Sequence, residues 1–291
     1  CIRGRKLSLG LAVAVLALGL LAENRVVGTP PGGVEEIPAG NSTRQVPTES
    51  SSGRRVADFK LSDTAGNAGL LADLRAAKFV VVAFVGTECP LVRLYTPRLE
   101  QLAREYAERG VQLVAIDSNL QDTPDELAAF AKQLGVSFPL LLDQDGSIAD
   151  RFGATRTPEV FVLDAERVIR YHGRIDDQFQ VGAQKPEVGR RDLAVALDEL
   201  LACKPVSQPA LAVSGCLIGR KRSADPAAEV TWTGQIAAIF SERCVECHQP
   251  GEIAPFSLVN YDDAIGWGET IVEAVDAGRM PPWFASPEHG H

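Results

Sequence analysis

The sequence of 291 residues predicts an α/β domain, a central mixed sheet flanked by helices, followed by a small all-α segment. Three observations predict this. Between Val56 and Ala202, short apolar runs alternate with amphipathic ones, as the strands and helices of one layered domain do. Stretches rich in Pro, Gly, Ser or small residues bracket that region, at 23–55 and within 203–230. Beyond them, Cys244-Val245-Glu246-Cys247-His248 closes one amphipathic run and precedes another. A chain of this length suggests about two domains.

The elements follow in order. Phe79 to Val85 is apolar and β-branched throughout, as a strand covered on both faces should be. Leu91, Tyr95, Leu99, Leu102 and Tyr106 form a helical stripe interrupted by Pro97, which predicts a kink. Val111 to Ile116 is a second strand. Thr123 to Leu134 is a helix, with Thr123 as N-cap, Pro124 at the first position and Glu126 completing a capping box. Phe138–Leu142 and Val160–Leu163 read as strands, and Val168–Tyr171 pairs with the latter across a turn near Ala165-Glu166. Asp192 to Leu201 closes the domain as a helix. Asp143, Asp145 and Gly146 lack the bidentate Glu of a calcium loop and read as an Asp-Gly turn. In the last segment, Thr231–Arg243 and Tyr261–Ala277 read as helices. The first turns Trp232, Ile236, Ile239 and Phe240 inward; the second presents Ala264, Ile265, Ile271, Val272 and Val275 on one face.

At the N-terminal end, Arg3, Arg5 and Lys6 precede the apolar run Leu7–Ala22. A basic stretch followed by an apolar one is the pattern of an export signal. At about 16 residues the run is short of the roughly 20 of a spanning helix, and no good small-x-small cleavage site follows. A signal peptide and a membrane anchor over residues 7–22 both fit, and either places the protein in the periplasm or otherwise outside the cytoplasm. The net charge of −9 weighs against a nucleic-acid partner.

Two cysteines two residues apart with a histidine directly after the second are the attachment pattern of a c-type haem. Each thiol adds to one porphyrin vinyl group, and the next residue then lies beneath the ring, where an imidazole ligates the iron. Cys244 and Cys247 are thus the candidate anchors of a covalent haem c, and His248 its iron ligand. A zinc site would need about four ligands. Met280, the single methionine, follows the last helix and precedes Pro281-Pro282. It is the candidate second axial ligand, and thioether ligation raises the haem potential and closes the iron to oxygen. The other chemically marked stretch is Gly86-Thr87-Glu88-Cys89-Pro90, where a strand ends and a helix begins. A thiol there faces the positive end of the helix dipole, which favours the thiolate.

Phe84, Cys89, Pro97, Thr157 and Pro158 together resemble the thioredoxin superfamily. In that superfamily the redox cysteine sits at this helix start and a cis-proline faces it. Asp58-Phe59, Leu61, Asp63, Gly66 and Leu71 look like the redoxin and peroxiredoxin-like (AhpC/TSA-type) branch. The resemblance implies a thioredoxin-like fold over 56–202 and a thiol-redox site at Cys89, Thr157 and Pro158. Two departures qualify it. Val92 stands where a CxxC motif has its second cysteine, which excludes an adjacent dithiol cycle. Gly86 stands where peroxiredoxins of the PxxxTxxC type carry threonine. A subgroup with a single cysteine at this position, a GRIDD-type segment and a later Gly-Cys motif is similar to Gly173-Arg174-Ile175-Asp176-Asp177 and Gly215-Cys216 here. That similarity makes Cys216 the candidate second thiol, on a tail over 204–214 that could fold back over the site; Cys203 is a rival. Arg156, beside Thr157, fits either a thiolate-stabilising role or a plain surface position.

The segment 231–291 resembles small class I cytochromes c, and also haem modules placed ahead of copper monooxygenase-like domains, where a Met-Pro-Pro-Trp run recurs. The closing helix of such cytochromes is missing, so this module is expected to be C-terminally incomplete. Together the resemblances imply an exported oxidoreductase that exchanges electrons with redox protein partners through a thiol site and a haem. A thiol peroxidase, and a non-catalytic docking module with a haem relay, are the competing expectations.

Overall fold

The computed structural model describes residues 51–220 and 225–282. The expected signal or anchor, most of the linker 23–55 and residues 283–291 lie outside the described residues. Among the described residues no helix is long and apolar enough to cross a membrane.

The frame is a seven-stranded mixed sheet. Its strands are β1 (Lys60–Asp63), β2 (Ala68–Leu70), β3 (Phe79–Val85), β4 (Val111–Asp117), β5 (Leu140–Leu142), β7 (Glu159–Asp164) and β8 (Ile169–Gly173), in the spatial order β2-β1-β5-β4-β3-β7-β8. A two-residue strand, β6 (Arg156–Thr157), lies outside this sheet, just before β7, and β9 (Phe179–Gln180) and β10 (Ala183–Gln184) pair with each other after β8. The sheet is parallel at β3–β4 and β4–β5 and antiparallel elsewhere.

β3 lies between β4 and β7, and its side chains alternate between two cores. Val81, Ala83 and Val85 meet Leu99, Leu102, Tyr106 and Leu197 on one face. Val80, Val82 and Phe84 meet Phe152, Phe161 and Ile169 on the other. The uninterrupted apolar run in the sequence is the consequence of those two covered faces.

Helix α1 (Pro90–Ala107) supplies Leu91, Val92, Tyr95, Leu99, Leu102 and Tyr106 to the first core and continues through Pro97. Helix α2 (Pro124–Leu134) starts with the expected capping box, Thr123 accepting from the Glu126 N–H while the Glu126 carboxylate accepts from the Thr123 N–H at 2.9 Å. Helix α4 (Asp192–Leu201) packs Leu193, Ala196 and Leu197 inward.

Several expectations need correction. The last residues of the 23–55 stretch belong to the domain: the Gly53 N–H donates to Ile169 O at 2.8 Å, and the Ile169 N–H to Arg54 O at 2.9 Å. The tail after α4 turns back onto the domain. The His172 N–H donates to Pro209 O and the Leu211 N–H to His172 O, both at 3.0 Å, which lays the tail along β8. An unforeseen helix, α3 (Ser147–Phe152), follows the Asp-Gly turn. It starts there because the buried Asp143 carboxylate accepts from the Ile148 and Ala149 amides at 3.1 and 2.9 Å and from Ser118 Oγ at 2.7 Å.

In the last segment the run 231–243 opens with a wide turn, in which the Ile236 N–H reaches Thr231 O at 3.2 Å, before α5 (Ala237–Arg243). The expected helix 261–277 is two helices, α6 (Tyr261–Ile265) and α7 (Gly268–Asp276). They break at Trp267, which lies between two glycines of low helix propensity and is buried with Leu258 and Ala264. Ile239, Val272 and Val275, expected inward, are exposed.

The Asp143→Ala variant leaves a hydroxyl and two helix-start amides without their acceptor. It should lower stability by about 1–3 kcal/mol, read as a shift of the urea midpoint. An unchanged midpoint would show that the turn holds without the carboxylate.

Candidate functional site

The site forms where β3 ends. Gly86 and Thr87 make a tight connection into α1, and Cys89 is the residue that caps that helix, with Pro90 at its first position. Thr87 fastens the loop, because its N–H and hydroxyl donate to the Asp122 carboxylate at 2.9 and 2.8 Å. Asn119 Nδ2 donates to Val85 O at 3.0 Å and to Asp122 at 3.2 Å, so the loop rests on a buried polar network. A side chain at Gly86 would strike Asn119 at 2.6 Å, which requires glycine there.

Opposite Cys89 runs β6, followed by the cis Thr157–Pro158 peptide. Cys89 Sγ lies 3.1 Å from the Thr157 carbonyl oxygen. The returning tail forms β11 (Cys216–Leu217), antiparallel to β6, with Cys216 opposite Thr157 and Leu217 opposite Arg156. This pairing needs glycine at 215, since a Cβ there would sit 2.0 Å from Thr157 O. The four sequence-predicted residues Cys89, Thr157, Pro158 and Cys216 are thereby brought together. Cys89 and Cys216 are free thiols, and each shifts the other's ionisation across this pairing.

The two thiols are electrostatically unequal. Burial pushes Cys89 up, but hydrogen bonds from the Cys216 thiol and amide, from Thr157 and from the Val92 amide outweigh it and bring Cys89 down to about 6. Cys216 is pushed far up, first by the hydrogen bond that it gives to Cys89 and then by burial. One proton thus stays on Cys216 while Cys89 carries the charge at the start of α1.

Arg156 is neither a thiolate ligand nor a plain surface residue. Its guanidinium donates to Gly215 O at 2.8 Å and to Glu273 Oε2 of α7 at 2.6 Å. His172 pairs with Glu159 and stacks on Phe161, so it is no partner of the thiols. The GRIDD segment is architectural: Asp176 accepts from Tyr95 Oη at 2.8 Å and pairs with Arg98, and Arg174 Nε donates to Asp192 at 2.8 Å.

Sequence reasoning missed Glu88. Burial, then Asp122, Glu126 and Asp263, push its carboxyl up to about 7, while it accepts a hydrogen bond from the Trp267 side chain. Its position directly before Cys89 was the only signal in the sequence.

The haem motif ends α5. His248 is buried, and its Nδ1 lies 3.1 Å from Phe256 O. The Nδ1–H therefore donates to that carbonyl, which leaves the Nε2 lone pair for a ligand. Burial also lowers the His248 pKa, favouring the neutral imidazole that ligation requires. Cys244 and Cys247 are free and half-buried. Ile253, Val259, Val272, Val275 and Met280 are all exposed in this short segment, an apolar surface of the kind that a porphyrin covers. These residues fit a haem c.

If Cys216 holds the pair's proton, the Cys216→Ala variant should move the Cys89 titration from about 6 towards the free-thiol value of roughly 8.5. The pH dependence of iodoacetamide alkylation at Cys89 measures this. An unmoved midpoint would assign the low value to Thr157 and the helix N-terminus with its Val92 amide.

The sequence profile of the AhpC/TSA family matches residues 52–172, which include Cys89, Thr157 and Pro158 but not Cys216. The thioredoxin-like protein YneN of Bacillus subtilis is 30% identical over 118 residues, 40% of this chain and 68% of that protein. The thiol-disulfide oxidoreductase ResA of Halalkalibacterium halodurans is 28% identical over 121 residues, 41% of this chain and 67% of that protein. A solved structure of a hypothetical protein from Sinorhizobium meliloti 1021 is 36% identical, with a TM-score of 0.55, and covers 59% of this chain and 96% of its own. The chain belongs to the thioredoxin-like proteins, and its residues 52–172 form an AhpC/TSA domain.

Proposed function

We propose that the protein is an exported thiol-disulfide oxidoreductase in which Cys89 and Cys216 cycle between dithiol and disulfide, and that its last segment carries a covalent haem c. The contact between the two thiols, set by the β6–β11 pairing, carries the first part of this reading. The redox partner of Cys89 comes from a returning strand instead of the next helical turn, where Val92 stands. Two relatives bear names of the same kind, a thiol-disulfide oxidoreductase and a thioredoxin-like protein.

In the reduced state one cysteine of the pair, as thiolate, attacks one sulfur of a disulfide, and the leaving thiolate departs with a proton. The other cysteine then attacks its partner's sulfur, releasing the second half of the substrate. The substrate disulfide gains two electrons and the cysteine pair loses two. The low pKa of Cys89 provides thiolate at neutral pH, and Cys216 is held in line by backbone hydrogen bonding. The peroxidase alternative is weaker, because the Thr87 hydroxyl donates to Asp122. The docking-module alternative does not account for a depressed Cys89 pKa beside a second thiol.

Cys244 and Cys247 would hold the haem covalently, and His248 and Met280 would supply ligands to its iron. When bound, the group supplies one-electron transfer at an iron closed to oxygen. His248 is oriented for this by the Phe256 carbonyl.

Proteolysis and mass mapping of the oxidised protein should yield a Cys89 peptide linked to a Cys216 peptide. A Cys89 peptide found only alone would overturn the exchange reading. Protein made in a haem-maturing periplasm should show a c-type pyridine haemochrome spectrum that the Cys244→Ser/Cys247→Ser variant loses. Absence of that spectrum from the unaltered chain would remove the haem.

A further inference from the structure

The helical segment 225–282 lies over the thiol pair. Cys89 and Thr157 are each 1% exposed, and Cys216 is only half-buried. Cys216 packs on the first core of the α/β domain and also on the small cluster of Leu258, Ala264 and Trp267. The second thiol is therefore held between the two parts of the chain.

Polar contacts fasten this arrangement from three sides. Glu273 of α7 takes Arg156 at 2.6 Å and Arg279 at 3.0 Å. The Leu217 N–H donates to Thr270 Oγ1 at 3.1 Å, so α7 caps the edge of β11 directly beside Cys216. The Trp267 side chain favours the charged form of Glu88, the neighbour of Cys89. Gln121 presses on Gly219 and Gly266, where an added Cβ would meet its Oε1 at 2.1 and 2.2 Å. Arg156 grips both Gly215 beside Cys216 and Glu273 on the covering helix.

We propose that this segment is a size-selective cover, latched by the Arg156–Glu273 pair, that reserves the Cys89–Cys216 couple for low-molecular-weight thiols and disulfides and shuts out folded protein disulfides. The proposal rests on the exchange reading above and names its substrate class. A protein disulfide must bring its own backbone close to the pair to align three sulfurs. Here β11 and α7 occupy that approach. A small thiolate instead reaches the more exposed sulfur, Cys216.

Attack on Cys216 Sγ breaks the disulfide and expels Cys89 as thiolate, the better leaving group because of its lower pKa. A second small thiolate attacks the mixed disulfide and forms the small disulfide. Of the two protons that the small thiols release, Cys216 takes up one and solvent the other, because the Cys89 thiol gives up its proton at neutral pH, while the pair accepts two electrons.

The test uses the full chain made in a haem-maturing periplasm, as the unaltered protein and as Glu273→Lys, which sets a third cation against Arg156 and Arg279. Oxidation of the reduced protein by bis(2-hydroxyethyl) disulfide is compared with oxidation by insulin. Alkylation of Cys216 by bromobimane is compared with alkylation by a polyethylene-glycol maleimide. The unaltered protein should react with the small reagent of each pair and hardly with the large one. Glu273→Lys should speed the large reagents by about tenfold or more and the small ones far less, as expected when like charge destabilises a closed interface. Glu273→Gln, isosteric and milder, should shift the same ratio in the same direction and guards against misfolding in the lysine variant.

Equal large-to-small ratios in the unaltered protein and in both variants would overturn the cover while leaving thiol exchange intact. Failure of the small disulfide to oxidise any of the proteins would overturn the exchange reading and the cover with it.

Discussion

Two short strands hold the proposed redox centre together. β6 and β11 pair over only two residues each, yet they place Cys216 opposite Thr157 and thereby against Cys89. Without that ladder the second thiol would hang on a tail. The pairing is tight enough that only glycine fits at 215, and it is reinforced by Arg156, which bonds to Gly215 O from the neighbouring strand. Backbone hydrogen bonds fix separation and direction more closely than side-chain packing does, which suits a reaction that needs sulfurs in line.

The same pairing decides the electrostatics. A lone thiol at the start of α1 would gain from the helix dipole and lose from burial, and burial is the largest single influence on Cys89. The balance turns towards thiolate because Cys216 arrives as a donor. Its own proton becomes correspondingly hard to remove. One cysteine is readied for attack and the other for holding a proton, although neither has a basic side chain as its principal partner.

The helical segment depends on the α/β domain in turn. Its own described core is small, Leu258, Ala264 and Trp267, with Trp232, Phe240, Phe256 and Ile271 around it. Such a core is thin for an independent unit. Phe256 stacks on Trp267 with ring centroids 4.0 Å apart, and the Phe256 carbonyl also orients His248, so the proposed haem ligand and the covering tryptophan share one aromatic support. Several apolar side chains that the 3.6-residue period would turn inward remain open, Val272 and Val275 among them. Periodicity identifies an apolar face but does not say what covers it.

The sequence by itself determined the layered α/β frame, because an unbroken β-branched run such as Phe79–Val85 and a capped helix such as 124–134 carry their structure in local chemistry. It also marked Cys89 at a strand-to-helix junction and the Cys244–His248 motif, whose residue types and spacing are themselves the chemical requirement. It did not determine where the tail 204–219 goes, because a two-residue ladder is too short to leave a periodic signal and is stabilised only by its partner strand. It did not show that Glu88 lies against Trp267, or that Arg156 bridges to Glu273, since those contacts join residues more than a hundred positions apart. Nor did it show the break at Trp267, where burial of one large ring prevails over the helical pattern on either side. Local rules drew the elements, whereas the pairing of the thiols and the segment that lies over them came from long-range contacts whose energy exists only in the folded chain.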